Sequence, residues 1–146
     1  MIPATSLSHY ITGLPALSVP DKSGFVADWH LLEAFAGRKP LPVAGVNFPS
    51  THHLFGSQGI DERGDSLRGT GVRGTGAIYV ANAPRAIADL LHRSVLEQRD
   101  LNWLSLEQYQ LPGDLLDELR ALIQILDSHL PSEVLRSWIA KQLTTA

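Results

Sequence analysis

Residues 68–91 read RGTGVRGTGAIYVANAPRAIADLL, and the order of elements in this stretch decides the fold. It contains GTGVRG (Gly69–Gly74), which matches the dinucleotide fingerprint G-x-G-x-x-G. That fingerprint needs a strand before the glycines and a helix after them, so that the helix N-terminus meets the pyrophosphate. Here the order is reversed. The glycines are preceded by more loop-forming sequence, and the strand-like AIYVA (77–81) comes after them. An acidic residue some twenty positions on would be near Asp89, which falls in a helix behind the wrong element. The order argues against a doubly wound nucleotide-binding fold. No G-x-x-x-x-G-K-[ST] exists, which excludes a P-loop.

Reading forward, Asn82 is a good N-cap, Pro84 suits a first turn, and a helix is expected over 83–98. Its apolar stripe is Ile87, Leu90, Leu91 and Val95. Ser105–Gln108 has capping-box spacing and predicts a short helix that ends before Pro112-Gly113. Asp114 is the expected cap of an amphipathic helix with Leu115, Leu116, Leu119, Leu122, Ile123 and Leu126 on one face. Pro131 stops it. Ser132 caps a last helix with Val134, Leu135, Trp138, Ile139 and Leu143 inward. Residues 114–143 should thus form a helical hairpin whose partner is the 83–98 helix or a second chain.

Reading backward, residues 56–76 hold seven of the twelve glycines and three evenly spaced arginines, Arg63, Arg68 and Arg73. With no apolar period, this segment is expected to be a loop, mobile or ordered by a partner. Residues 41–48 are expected to form a strand, which 51–55 extends or pairs with. Residues 28–37 predict a short helix capped by Asp28 and ended by Gly37 and Pro40. Residues 1–27 form an irregular arm with strand character at His9–Thr12, expected to pack through Tyr10, Ile11, Leu14 and Leu17. The fold class is α+β: one domain over 1–146, a small antiparallel sheet and a mostly helical C-terminal half.

The formal net charge of −3 argues against a nucleic-acid coat or a polybasic membrane binder. The absence of cysteine excludes disulfides, thiolate metal sites and cysteine nucleophiles. No stretch approaches a membrane span, and the N-terminus does not read as a signal peptide, so a cytoplasmic protein is expected.

No catalytic constellation can be assembled from spacing, and no metal or cofactor is implied. The residues best suited to bind a partner or an anion are Arg63, Arg68, Arg73, His52 and His53. Nucleic-acid contact rests on the arginine spacing alone. His52 and His53 would point to opposite faces of a strand, so one metal could not easily use both. An enzyme of hydrolase or nucleotide-handling type would have to gather His30, His52, His53 and the loop arginines in one pocket, with Asp61 a conceivable further member. A self-assembling structural domain would use the C-terminal hairpin as a dimer interface. Arg85 and Asp89, at i, i+4, read as a modest surface pair. Trp103 and Trp138 read as packing residues, and an exposed Trp would instead suggest a binding hot spot.

Over residues 78–143 the chain resembles bacterial antitoxins of the abortive-infection type. The stretch IYVANAPRAIADLLHRSV is followed by LNWLSLEQY and a leucine-rich hairpin. The matching positions are Val80, Ala81, Pro84, Arg85, Ala86, Asp89, Leu90 and Leu91. The N-terminal winged helix-turn-helix usual in that family has no counterpart in residues 1–27. The resemblance implies neutralisation of a protein partner, often a nucleotidyltransferase-like toxin.

Overall fold

The computed structural model describes residues 2–28, 35, 39–72 and 76–143. Strand β1 (Ile60–Glu62) pairs antiparallel with β2 (Tyr79–Ala81), in the register Ile60↔Ala81, Asp61↔Val80, Glu62↔Tyr79. The N-terminal arm lies along the other side of β2. The Ile11 amide donates to Tyr79 O at 3.0 Å, and the Ala81 amide donates to Ile11 O at 2.9 Å. On its far side the arm bonds residues 42–44, through Thr12 N to Pro42 O and Ala44 N to Tyr10 O. The arm therefore supplies the sheet's third row, and Tyr10, Ile11 and Leu17 are buried as expected.

Six α-helices occur among the described residues, so the fold is a small, mostly helical α+β one. They are α1 (Gly13–Ala16), α2 (His52–Phe55), α3 (Gly64–Gly69), α4 (Ala83–Leu96), α5 (Gly113–His129) and α6 (Glu133–Leu143). Helix α4 is the centre. The Asn82 side chain caps it by accepting from the Arg85 amide at 3.0 Å. Its first ten residues are all buried, not merely one stripe. Three of these are alanines, Ala83, Ala86 and Ala88, whose small side chains let neighbours approach closely. Helices α5 and α6 pack on α4, the first of the two partners expected for the hairpin. Leu119, Leu122, Ile123, Leu126, Leu135, Trp138 and Leu143 are buried there. Ser132 Oγ caps α6 by accepting from the Leu135 amide at 3.3 Å.

Five local expectations are corrected. Residues 41–48 do not run on as a strand: after the bridges at Val43 and Ala44 the chain turns back, and Phe48 pairs with Ala44. Asn47 fixes the turn, its side chain accepting from Val43 N at 2.6 Å and donating to Leu41 O at 3.0 Å. Gly45, at φ +79°, lies where an added Cβ would meet the His9 ring at 3.0 Å. Residues 52–55 form helix α2, not strand. The 56–76 segment is not all loop. Ile60 and Leu67 anchor β1 and α3 in the core, and Glu62 accepts from the amides of Gly64 (2.6 Å) and Ile78 (2.8 Å). Finally, Ser105 makes no side-chain cap. The Leu106 amide that opens the 3-10 turn Leu106–Gln108 is met by Gln142 Oε1 of α6 at 2.9 Å. Helix α5 likewise begins at Gly113 behind Pro112, so Asp114 is its first-turn acid and not its cap. The expected 28–37 helix falls almost wholly outside the described residues.

Candidate functional site

The residues singled out by type are dispersed. His52 and His53 are exposed on α2. Arg63 is 3% exposed and spends its guanidinium internally, on Pro20 O at 2.7 Å and Asp61 at 3.0 Å. Arg68 bonds Asp65 at 2.9 Å and Gly76 O at 3.1 Å. Arg73 and His30 lie outside the described residues. No group of three or more His, Asp or Glu able to hold a metal occurs among the described residues.

The Arg85–Asp89 pair is not on the surface. Both side chains are fully buried, 3.3 Å apart. Asp89 accepts three hydroxyl bonds, from Tyr10 (2.8 Å), Thr12 (2.7 Å) and Thr51 (2.5 Å). Arg85 donates to Gly56 O at 2.9 Å, Gln58 O at 2.7 Å and Thr51 Oγ1 at 3.1 Å. Its guanidinium carbon sits 5.1 Å from the centroids of both Tyr10 and Phe55. Burial raises the Asp89 carboxyl above its ordinary value, opposed by Arg85 and the hydroxyl donors. Burial also raises the Tyr10 phenol, helped by the charge of Asp89. A hub so enclosed joins the arm, the 51–58 segment and α4. It touches no solvent, so its role is to hold the fold.

The accessible chemistry lies at the other end of α4. The chain leaves that helix with Gln98 in the left-handed conformation, φ 56°. The Gln98 amide donates to Val95 O at 3.2 Å and the Arg99 amide to Ser94 O at 2.9 Å, a Schellman ending with glutamine where glycine is usual. Beyond it, three grooves follow one another along the 98–111 connection. The first, about 500 Å³, is walled by Leu14, Arg93, Gln98, Arg99 and Trp103 and shares Asp100 with the second. The second, about 400 Å³, lies between Leu101, Asn102 and the Val134–Trp138 face of α6. It shares Lys141 and Gln142 with the third, about 540 Å³, beside Leu106, Gln110 and Leu116.

Two apolar side chains stand open along this run, Trp103 at 42% and Val134 at 47% exposure. Both were expected inward. Of Trp103 and Trp138, only Trp138 is a packing residue, its indole N–H bonded to Leu104 O at 2.7 Å. The end of α4 also carries unsatisfied polarity. Among the described residues, four buried side-chain polar atoms lack a hydrogen-bond partner, and three are consecutive: His92 Nδ1, Arg93 Nε and Ser94 Oγ. Burial lowers the His92 imidazole below its ordinary value, and the nearby His53 ring, 6.3 Å away, acts in the same direction. Sequence reasoning missed this site because no spacing rule marks it. The available signal was Trp103 in an aperiodic connection between two helices.

Compared with family models, curated proteins and solved structures, the chain matches none of the three. Chemically, the grooves offer an exposed indole, aliphatic walls and a few charges. That suits recognition of a surface, with aromatic and arginine side chains as the usual anchors.

Proposed function

We propose that this chain is a small regulatory or neutralising protein that acts by binding a protein partner, as an antitoxin or immunity protein does. The observation that carries the reading is the run of three grooves along the α4–α5 connection, with Trp103 open in the first. An exposed tryptophan beside an arginine is hot-spot composition, and a run of linked grooves suits a segment of partner surface better than one small molecule. The mechanism is occlusion: the partner is held along the 98–111 connection and the outer face of α6, and its own working surface is covered. The resemblance over residues 78–143 supports a nucleotidyltransferase-like toxin as the partner.

The test is co-expression with the product of the adjacent reading frame. A stoichiometric complex is expected, with relief of any growth arrest that the neighbour causes alone. Trp103→Ala should weaken the complex at least about tenfold while the variant still melts cooperatively, since the side chain is partly open in the free protein. Absence of a complex, or a Trp103→Ala variant that binds as well as the parent, would overturn the reading.

A further inference from the structure

His92 is a titratable group of α4 that neither the hub nor the grooves use. Its ring is 5% exposed, near the end of the helix. The ring of His53, on α2, stands 6.3 Å away and edge-on, at 68°. His92 Nδ1 is buried and has no hydrogen-bond partner among the described residues. A neutral imidazole can leave that nitrogen as an unused lone pair, with its proton on Nε2. An imidazolium cannot. Both nitrogens then carry a proton, and the Nδ1–H becomes a buried donor without an acceptor. Two ionisable groups bear on the ring: His53, which opposes the cation, and Asp89, one turn back on α4, which favours it. Of the other elements packed on α4, α1 carries no ionisable side chain and β2 only Tyr79. Helix α5 sends Glu118 to Asn82 at the far end of α4 and Asp127 to Arg136 of α6.

The element across this contact is slight. Helix α2 is four residues long, and Phe55 is its one buried side chain. Its flanks are held instead: Thr51 Oγ1 and the Gly56 and Gln58 carbonyls accept from Arg85 of the hub. A short segment pinned at both ends can lift between its anchors at far less cost than global unfolding. We infer that the His53–His92 contact is an acid-sensitive latch: a proton taken up by His92 opens α2 from α4 while the hub stays closed. The opened ring is hydrated and regains its ordinary value of 6.5, whereas burial holds it lower in the closed fold. The open form therefore binds more protons between the two values. Opening grows as pH falls below about 6.5 and levels off below the closed-state value, by at most about tenfold per pH unit for one proton. Asp89 stays in the closed hub in both forms and does not contribute. The inference is independent of the partner-binding reading.

Amide hydrogen exchange on the free ¹⁵N-labelled chain tests this, with each rate divided by that of an unstructured peptide at the same pH. The reporters are the amides of Leu54 and Phe55, both bonded to Thr51 O at 2.9 Å, and of Gly56, bonded to His52 O at 2.8 Å. Between about pH 7 and pH 5 their protection should fall at least about fivefold, while amides inside α5 and the Arg85 amide keep theirs. His92→Gln has no proton to take up and should show no such fall. His53→Gln, an exposed change, should show a smaller one, because it removes the ring that opposes the cation. In the parent, the His92 ring followed by long-range ¹H–¹⁵N correlation should titrate below about 6.5. That titration and the His53→Gln comparison decide the matter if His92→Gln does not fold. Equal loss of protection in α2 and α5, the same fall in His92→Gln, or a ring midpoint at or above about 6.5 would each overturn the inference. Failure to find a protein partner would remove the neutralising reading and leave the latch standing.

Discussion

At the scale of single residues, the most consequential side chain is Asp89. One carboxylate gathers hydroxyls from Tyr10, Thr12 and Thr51 and the guanidinium of Arg85, all out of contact with water. Two charges removed from water are tolerated only because the carboxylate accepts four hydrogen bonds and four of the five guanidinium N–H groups donate. Asp89→Asn keeps the shape and removes the negative charge, stranding Arg85. We expect a loss of about 3–5 kcal/mol in urea unfolding, the range seen when one member of a buried pair is removed. A loss under about 1 kcal/mol would mean that Arg85 is adequately served by Gly56, Gln58 and Thr51 alone. This hub could not be read from the sequence. The i, i+4 spacing of Arg85 and Asp89 is the same for a surface pair and a buried one. What buries it arrives from residues 10–12, some 79 and 77 positions away in sequence for the two arm bonds.

At the scale of elements, the helices were legible and the sheet only half so. Asn82 caps α4 and Ser132 caps α6 through the bonds their positions predict, and the leucine spacing of α5 places its buried face. These are local rules, satisfied within four residues. Strand β1 is three residues with one buried apolar side chain, too short to show a period of two, and it sits among glycines. Its pairing is set by β2 and by Glu62 reaching the Ile78 amide, both remote in sequence. The exit of α4 is the element that departs most from its local rule. Glutamine at the left-handed position carries a steric cost between Cβ and the carbonyl that glycine lacks. Gln98→Gly should therefore stabilise the protein by about 1 kcal/mol, as a higher urea midpoint with the slope unchanged. An unchanged or lower midpoint would show that the Gln98 side chain contributes packing worth more than the strain. Because Gln98 lines the first groove, a stabilising result would also fit retention of the glutamine for contact, with backbone strain kept at a binding site.

At the scale of the whole molecule, the N-terminal arm is as central as the helices. Its irregular composition reads as a segment packed on a finished core, yet it supplies a row of the sheet and two of the hub's donors. Tyr10, Ile11 and Thr12 are all at 0% exposure, between residues 42–44 on one side and β2 on the other. Deleting the chain up to Thr12 would open the edge of β2 that the arm covers and leave Asp89 without two of its three hydroxyl donors. Each loss alone is of the order of 1–3 kcal/mol for the unpaired polar groups, and a domain of this size has only about 5–15 kcal/mol to lose. A chain beginning at Gly13 should therefore show no cooperative thermal transition and little near-ultraviolet circular dichroism, while far-ultraviolet helix signal from α5 and α6 persists in part. Removal of residues 2–4 alone, which stops short of Thr5 and its bond to the Tyr79 amide, should leave the transition within a few degrees of the parent. If the chain from Gly13 melted cooperatively near the parent temperature, the hub would not be the centre of the fold, and α4 with the α5–α6 hairpin would have to be a folding unit sufficient in itself.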